Sequence, residues 1–208
     1  MNVRRLPSAY ESPLRREQKA ATRQRILDAA GRLMQQRGLE EFSYAAIAAE
    51  ADVKERTVYR HFPSKQVLLE GLWGWYQKRI HYGAIARTEA ELVAKPQQTF
   101  RGFDENEQLT RALWSTRQGR EFRLSNVEDR KAGIKEAIAQ ATNGLAPKQA
   151  KWIAAVIHVL YSGAAWSTMK DYWGLSGGEA GKAAAMAMEL LLNAVRENLP
   201  PASRYRRK

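Results

Sequence analysis

Cysteine is absent from the chain, which excludes disulfide bonds, zinc sites with thiolate ligands and cysteine nucleophiles. Histidine is scarce, and His61, His81 and His158 show none of the spacings of a metal site. A phosphate-loop pattern around Lys182 lacks both its first glycine and its final Ser or Thr. These absences argue against an enzyme and predict a protein without metal or cofactor.

Acidic residues are a minority, with 22 Asp and Glu against 34 Lys and Arg and a formal charge of +12. This excess favours nucleic acid, acidic proteins or anionic membrane surfaces as partners, although it could also serve only to keep the protein in solution. Long apolar runs are lacking, because the longest, residues 152–166, is too short to span a membrane. The basic N-terminus has no apolar secretory segment. We therefore expect a soluble cytoplasmic protein that does not enter the membrane.

Strand patterns and long repeats are missing, whereas apolar residues recur at helical spacing, so the sequence predicts an all-α fold. The first helix should start after Ser12 or at Thr22 and end near Gly38. Capping and turn signals then predict short helices over 44–51 and 55–61.

Downstream, Ser64 caps a further helix, and loops are expected at residues 95–96, 102–106 and 125–126. An apolar helix is predicted over 148–173 with Gly174 as its stop. A capping box at residues 176–179 should start a last helix that ends near residue 198.

Two short helices cannot bury much surface alone, so they need support from their neighbours. Apolar residues of the four N-terminal helices are expected to form one small core, namely Ile26, Leu33, Ile47, Val58, Phe62 and Leu68. The polar face of the helix over 55–61 then stays free, in a form that suits the major groove of DNA.

Each polar residue of this region has an expected role. Lys54, Arg56 and Thr57 are placed to reach base edges, and Glu55 suits a cytosine amino group. Residues at the rim or at helix starts should hold phosphates, since backbone N–H groups there favour an anion. These residues are Ser43, Tyr59, Arg60, His61 and Lys65.

Residues 26–69 resemble the DNA-binding domain of the tetracycline-repressor (TetR) family of regulators. The resemblance rests on a combination of residues over about a fifth of the chain: Ile26-Leu27-Asp28-Ala29-Ala30, Gly38, Ser43, Ile47-Ala48, Ala51, Val53, Thr57-Val58-Tyr59-Arg60-His61-Phe62, Ser64-Lys65 and Leu68. Two positions depart from the family pattern. Asp52 stands where the turn usually has glycine, and Lys54 stands where a Ser or Thr cap is usual.

The resemblance implies a homodimer that binds a palindromic double-stranded DNA operator as a repressor and is released by a small hydrophobic effector. It also implies a variable C-terminal domain that pairs through its last two helices. An apolar stripe on the last helix is the expected interface, although it could instead pack inside its own subunit: Ala183, Ala187, Leu190, Leu191, Ala194 and Val195. Aromatic and histidine residues there suit an effector pocket, with ordinary core packing as the alternative: Trp114, Trp152, His158, Tyr161 and Trp166.

We thus expect four segments: a basic flexible arm over 1–16, a helix-turn-helix domain over 17–65, a helical effector-binding and dimerisation domain over 66–200, and a basic tail over 201–208. The arm and the tail could add phosphate contacts or remain solvated. All six tryptophans fall after the DNA-binding module and should belong to a second core. The competing interpretation is an architectural DNA-binding protein that is non-specific or independent of any ligand.

Overall fold

The computed structural model describes residues 13–37 and 43–198, and every regular element within them is a helix. The all-α prediction is confirmed. Over these residues the helices are α1 (Pro13–Arg37), α2 (Tyr44–Glu50), α3 (Glu55–His61), α4 (Lys65–Arg79), α5 (Glu89–Glu105), α6 (Glu107–Ser115), α7 (Arg117–Leu124), α8 (Val127–Ala137), α9 (Pro147–Leu160), α10 (Gly163–Trp173) and α11 (Gly177–Asn198).

The N-terminal elements follow the sequence closely. Helix α1 begins at Pro13, the earlier of the two expected starts, so residues 13–16 of the expected arm are helical. Helix α3 has the predicted bounds and α2 ends one residue early. Residues 1–12, the stop at Gly38 and the tail over 201–208 lie outside the described residues.

Two predictions on the C-terminal half are wrong. Pro96 does not mark a loop but lies buried inside α5, where α11 packs so closely that a methyl group on Gly181 would overlap the backbone of Gln97. The apolar helix over 148–173 is interrupted, because Ser162 caps α10 by accepting a hydrogen bond from the Ala165 amide at 3.3 Å. The helix break expected over 102–106 is limited to Asn106, between α5 and α6. A further break at Thr116 separates α6 from α7.

The hydrophobic core runs through both halves of the molecule as one cluster. The six predicted core residues of the N-terminal helices are at most 5% exposed, which confirms that prediction. Trp75 departs from the expected second core, because its ring packs on α1 at Gly31 and its indole N–H donates to Asp28 at 2.7 Å. Helix α4 therefore belongs to both halves. Across the described part of the chain, no helix is both long and apolar enough to cross a bilayer.

Candidate DNA-binding surface and ligand cavity

The turn between α2 and α3 has the geometry of a helix-turn-helix. Ser43 caps α2 by accepting from the Ala46 amide at 3.1 Å. Asp52 then takes a left-handed backbone conformation with a φ of 50°, which confirms that aspartate replaces glycine in this turn. The Val53 amide donates to the Ala48 carbonyl at 3.0 Å and closes the turn. Chain reversal is thus secured by local hydrogen bonds.

Helix α3 is buried on one side only. Val58 and the following Phe62 are fully buried and anchor it to α1, α2 and α4. The opposite face is exposed at Lys54, Glu55, Arg56, Tyr59 and Arg60, while Thr57 and His61 are half-buried. Lys54 occupies the N-cap position without a side-chain cap, and Glu55 supplies the acidic group that a helix start favours. The predicted contact residues therefore share one accessible surface.

Tyr44 fixes the orientation of this face. Its ring stacks on Tyr59 with 4.3 Å between centroids and an interplanar angle of 16°. Its hydroxyl donates to the Phe62 carbonyl at 2.9 Å. Burial, followed by the proximity of Tyr59, raises the pKa of Tyr44, so the phenol stays protonated and can donate. Helix α3 is held at its middle and at its C-terminal end.

Cations of α1, which are not among the predicted contact residues, extend the basic surface. Arg23 places its guanidinium 4.5 Å from the centroid of the Phe62 ring, at the end of α3. The pKa of His61 is lowered by desolvation first and then by the charges of Arg60, Lys19 and Arg23. Their i, i+4 spacing in the sequence was the available signal, because it places Lys19 and Arg23 on one side of α1.

Lys65 differs from the other predicted phosphate contacts. Its ammonium forms an ion pair with Glu121 of α7, and both side chains remain partly exposed. Hydrogen bonding by Lys65 lowers the pKa of the Glu121 carboxyl. Ser64 caps α4 here by accepting from the Val67 amide at 3.3 Å. The start of α4 is therefore tied to the C-terminal half.

A cavity lies among helices α4 to α10, with a free volume of about 40 Å³. Three of the predicted pocket residues line it: Trp114, His158 and Tyr161. Burial raises the pKa of Tyr161 well above its ordinary value, and its hydroxyl is 3.0 Å from that of Thr99. Binding sites for small molecules usually enclose roughly 300–1,000 Å³. The cavity is therefore much smaller than a typical binding site.

The family model for "Bacterial regulatory proteins, tetR family" matches residues 26–72, which run from α1 into α4 and contain the whole α2–turn–α3 unit. The N-terminal part of the chain is therefore similar to that of TetR-family regulators. The match ends inside α4, so the cavity and the last helices lie outside it.

Two HTH-type transcriptional regulators are similar to part of the chain. The HTH-type transcriptional repressor KstR of Mycobacterium tuberculosis is 39% identical over 84 residues, or 40% of this chain and 36% of KstR. The regulator YvkB of Bacillus subtilis is 43% identical over 72 residues, or 34% of this chain and 37% of YvkB. The chain therefore matches only about a third of each of these relatives.

A solved structure extends the likeness to the whole fold. A protein assigned to the tetR family of transcription regulators, from Shewanella sp. PV-4, superposes with a TM-score of 0.54 at 26% identity. The superposition covers 83% of this chain and 97% of that protein. The TetR-type arrangement of an N-terminal helix-turn-helix and a C-terminal helical region is therefore present here.

Two predicted pocket residues do not line the cavity. Trp166 is fully buried beside it, where its indole N–H donates to Asp104 at 2.9 Å. Trp152 is 57% exposed on the outer side of α9. Other residues, which are not among the predicted ones, complete the wall. They are chiefly aromatic rings of α4 and two arginines, Arg123 and Arg130.

The predicted dimer stripe is partly exposed. Helix α11 packs on α5 through fully buried residues such as Ala184 and Met188, whereas Leu190 is 62% exposed. Trp152 of α9 joins the stripe at a shallow cleft that Leu191, Ala194 and Val195 also line. Ala183 and Ala187 lie half-buried on the same helix. Helices α9 and α11 together present one apolar surface.

The described residues form neither a nucleophile elbow nor a metal site. Residues 174–178 read Gly-x-Ser-x-Gly, but they join two helices, whereas a nucleophile elbow joins a strand to a helix. Ser176 caps α11 instead, and its hydroxyl donates to Glu179 at 2.6 Å. Within residues 13–37 and 43–198, acidic and histidine side chains form no group of three that could hold a metal ion.

Proposed function

We propose that this chain is a TetR-family transcriptional repressor that binds a palindromic operator as a homodimer and leaves it when a small effector occupies the cavity. The observation that carries the proposal is the exposed basic face of α3 above a fully buried anchor. A helix presented in this way fits the major groove, where its N-terminal residues meet base edges. Flanking cations of α1 would neutralise phosphates.

We assign separate roles along the proposed DNA face. Lys54, Arg56 and Thr57 lie at or near the start of α3 and would read bases, with Glu55 accepting from a cytosine amino group. Ser43, Tyr59, Arg60, His61 and Lys65 would hold phosphates together with Lys19 and Arg23.

The apolar surface of α9 and α11 supports the proposed dimer. A subunit stripe that packed inside its own chain would be buried, whereas Leu190 and Trp152 are more than half exposed. Patches of this kind mark protein interfaces. A twofold dimer places its recognition helices about 34–36 Å apart or at a multiple of that distance, which requires a palindromic site.

The route of release follows from the position of α7. Phe122 and Arg123 line the cavity, and the preceding Glu121 holds Lys65 at the start of α4. A ligand that enlarges the closed cavity must displace part of this wall. Movement of α7 would shift α4 and, through it, the helix-turn-helix that packs on α4.

The test begins with selection of binding sites from a randomised duplex library with the full chain. We expect a palindromic consensus that binds at least about 10³-fold more tightly than random DNA. Arg56→Ala should relax the preference at one position of each half-site, at a cost of roughly 1–3 kcal/mol. Arg101→Ala, an exposed arginine of α5, is the matched control and should leave both affinity and consensus unchanged.

Equal binding to selected and random DNA would instead identify an architectural protein. No binding at low ionic strength would reject the proposal altogether. Thermal-shift measurements against a small-molecule library identify a ligand-independent regulator. Such a regulator would show no stabilisation by any compound, whereas any ligand of the native state raises its stability.

A further inference from the structure

Two arginines stand in the wall of the cavity without a carboxylate beside them. The guanidinium of Arg123 lies 4.2 Å from the Trp114 ring centroid and donates to the Leu113 carbonyl. That of Arg130 lies 4.9 Å from the Trp73 ring centroid and donates to the Arg123 carbonyl. Among the described residues, neither forms an ion pair, so their charge is met only by rings and carbonyls.

Arg130 also keeps an unused donor. Its Nε atom is buried and has no hydrogen-bond partner in the described structure. Burial lowers the pKa of both guanidinium groups, and the charge of Arg130 lowers that of Arg123 further. Buried polar groups are nearly always satisfied, so an exception needs an explanation. An anion accepting from Arg130 would satisfy the donor and reduce the repulsion between the two arginines.

A cleft next to the cavity is basic as well. A cleft of about 290 Å³ between α8 and α9 shares Ile134 and His158 with the cavity wall. Lysines 131, 135 and 151 line this cleft with a single carboxylate, that of Glu128, which is 2.7 Å from the Lys131 ammonium. Clefts lined by one sign of charge attract ligands of the opposite sign.

The remaining wall is apolar or aromatic. Tyr82 stacks on Tyr161 with 5.6 Å between ring centroids, and Trp73 lies against Phe122 at 5.4 Å. Such a lining suits the body of an apolar ligand, while a few polar groups fix its orientation. The positive charge and the apolar lining of the cavity thus suit an amphiphilic ligand with an anionic end.

We propose that the effector is an organic anion, a carboxylate or sulfonate on an aromatic or aliphatic body, whose charged group binds between Arg123 and Arg130. This inference rests on the proposed function, since it takes the cavity as the effector site. It narrows the effector from any small hydrophobic molecule to one with a negative charge.

A matched pair of fluorescent probes tests the charge. 8-Anilinonaphthalene-1-sulfonate and N-phenyl-1-naphthylamine share their rings and differ by the sulfonate. We expect the full chain to bind the sulfonate at least about 10-fold more tightly, as a charge-assisted hydrogen bond implies. Unlabelled 1-naphthoate should displace it, and the neutral 1-naphthamide should not.

Variants locate the site. Arg130→Met should weaken sulfonate binding about 10-fold or more and leave binding of the neutral probe unchanged, whereas Arg130→Lys should retain part of the preference. Arg101→Met removes an exposed arginine of α5 that does not line the cavity, and it controls for net charge. Because Arg130→Met removes an unpaired buried charge, its thermal midpoint should not fall, and Arg123→Met provides a second variant.

Equal affinity for the two probes overturns the inference. The inference is also overturned if both Met variants bind the sulfonate as tightly as the parent, because the probe would then occupy another place, such as the apolar surface of α9 and α11. DNA binding is measured separately on the same proteins. If the chain binds its operator but probe binding does not depend on the two arginines, the anion proposal is rejected and the repressor proposal stands. Arginine-dependent anion binding by a chain that ignores DNA supports the anion site and rejects the repressor.

Discussion

Lys65, the first residue of α4, holds its ammonium 2.8 Å from the carboxylate of Glu121 on α7. Lys65 is also the expected phosphate contact at the start of α4, and one ammonium cannot serve a phosphate and Glu121 equally well. The same α7 helix lines the cavity through Phe122 and Arg123. If the proposed function holds, Glu121 competes with DNA for Lys65 from a helix that a bound ligand would move.

Removal of this competitor should strengthen DNA binding. We expect Glu121→Gln to raise affinity about 3- to 10-fold at low salt, because Lys65 is freed and a negative charge is lost. The log–log salt dependence should steepen by about one unit. Fluorescence anisotropy with a labelled operator at several salt concentrations measures both. Glu128→Gln, which breaks a similar ion pair on α8, should change neither, and an unaltered Glu121→Gln would show that Lys65 does not reach a phosphate.

Close packing of Trp75 on Gly31 predicts opposite effects for two glycines. Gly31→Ala places a methyl group inside the Trp75 ring and should lower the free energy of unfolding by about 1–3 kcal/mol. Gly74→Ala meets no atom within 4 Å and should raise it by about 1 kcal/mol through helix propensity. Urea denaturation followed by circular dichroism compares them. The packing account fails if both variants are stabilised.

The proposed dimer surface predicts a change of oligomeric state. Leu190→Glu places a charge in the apolar surface and should shift sedimentation velocity profiles from dimer to monomer at micromolar concentration. Leu14→Glu is the matched control, because Leu14 on α1 is also 62% exposed. A dimer that survives Leu190→Glu would mean that the subunits pair elsewhere.

His158 predicts a loss of stability at mildly acidic pH. Its pKa is lowered by burial first and then by Arg130 and Lys131, so the native state takes up a proton less readily than the unfolded chain. Stability should therefore fall as the pH drops from about 6.5, the ordinary histidine pKa, to the lower native value. We expect His158→Gln to lose less stability than the parent between pH 7.5 and 5.5 in urea denaturation. Equal losses would place the titration in other groups.

Local chemistry explains which parts of the fold were predictable. The bounds of α2 and α3 follow from Ser43, Asp52 and Ser64, whose roles as caps and turn residue depend only on nearby backbone. Pro96 led to a wrong loop prediction because the loop signal of a proline is also local. Contact with α11 keeps α5 helical across this residue. The boundary between α9 and α10 was missed because apolar periodicity continues across Ser162.

The DNA face was easier to predict than the cavity for a related reason. Buried Val58 and Phe62 lie four residues apart and leave one possible outer face on a seven-residue helix. Trp152 and Trp166 both lie on apolar helices, and periodicity alone cannot say whether a ring points to a cavity, to the core or outward. Arg123 and Arg130 were overlooked because lone arginines in a basic chain resemble solvated surface charges.

The contact between Trp75 and Gly31 restricts how regulators of this kind can be recombined. A hybrid joined at residue 65 would take its fourth helix from a foreign donor, and the groove that Gly31 leaves on α1 would lose the indole that fills it. The Asp28 carboxylate would lose the hydrogen bond from this indole at the same time. A junction placed after Arg79 keeps the ring, the groove and the carboxylate in one molecule. Exchange of the C-terminal region should therefore succeed there and fail fourteen residues earlier.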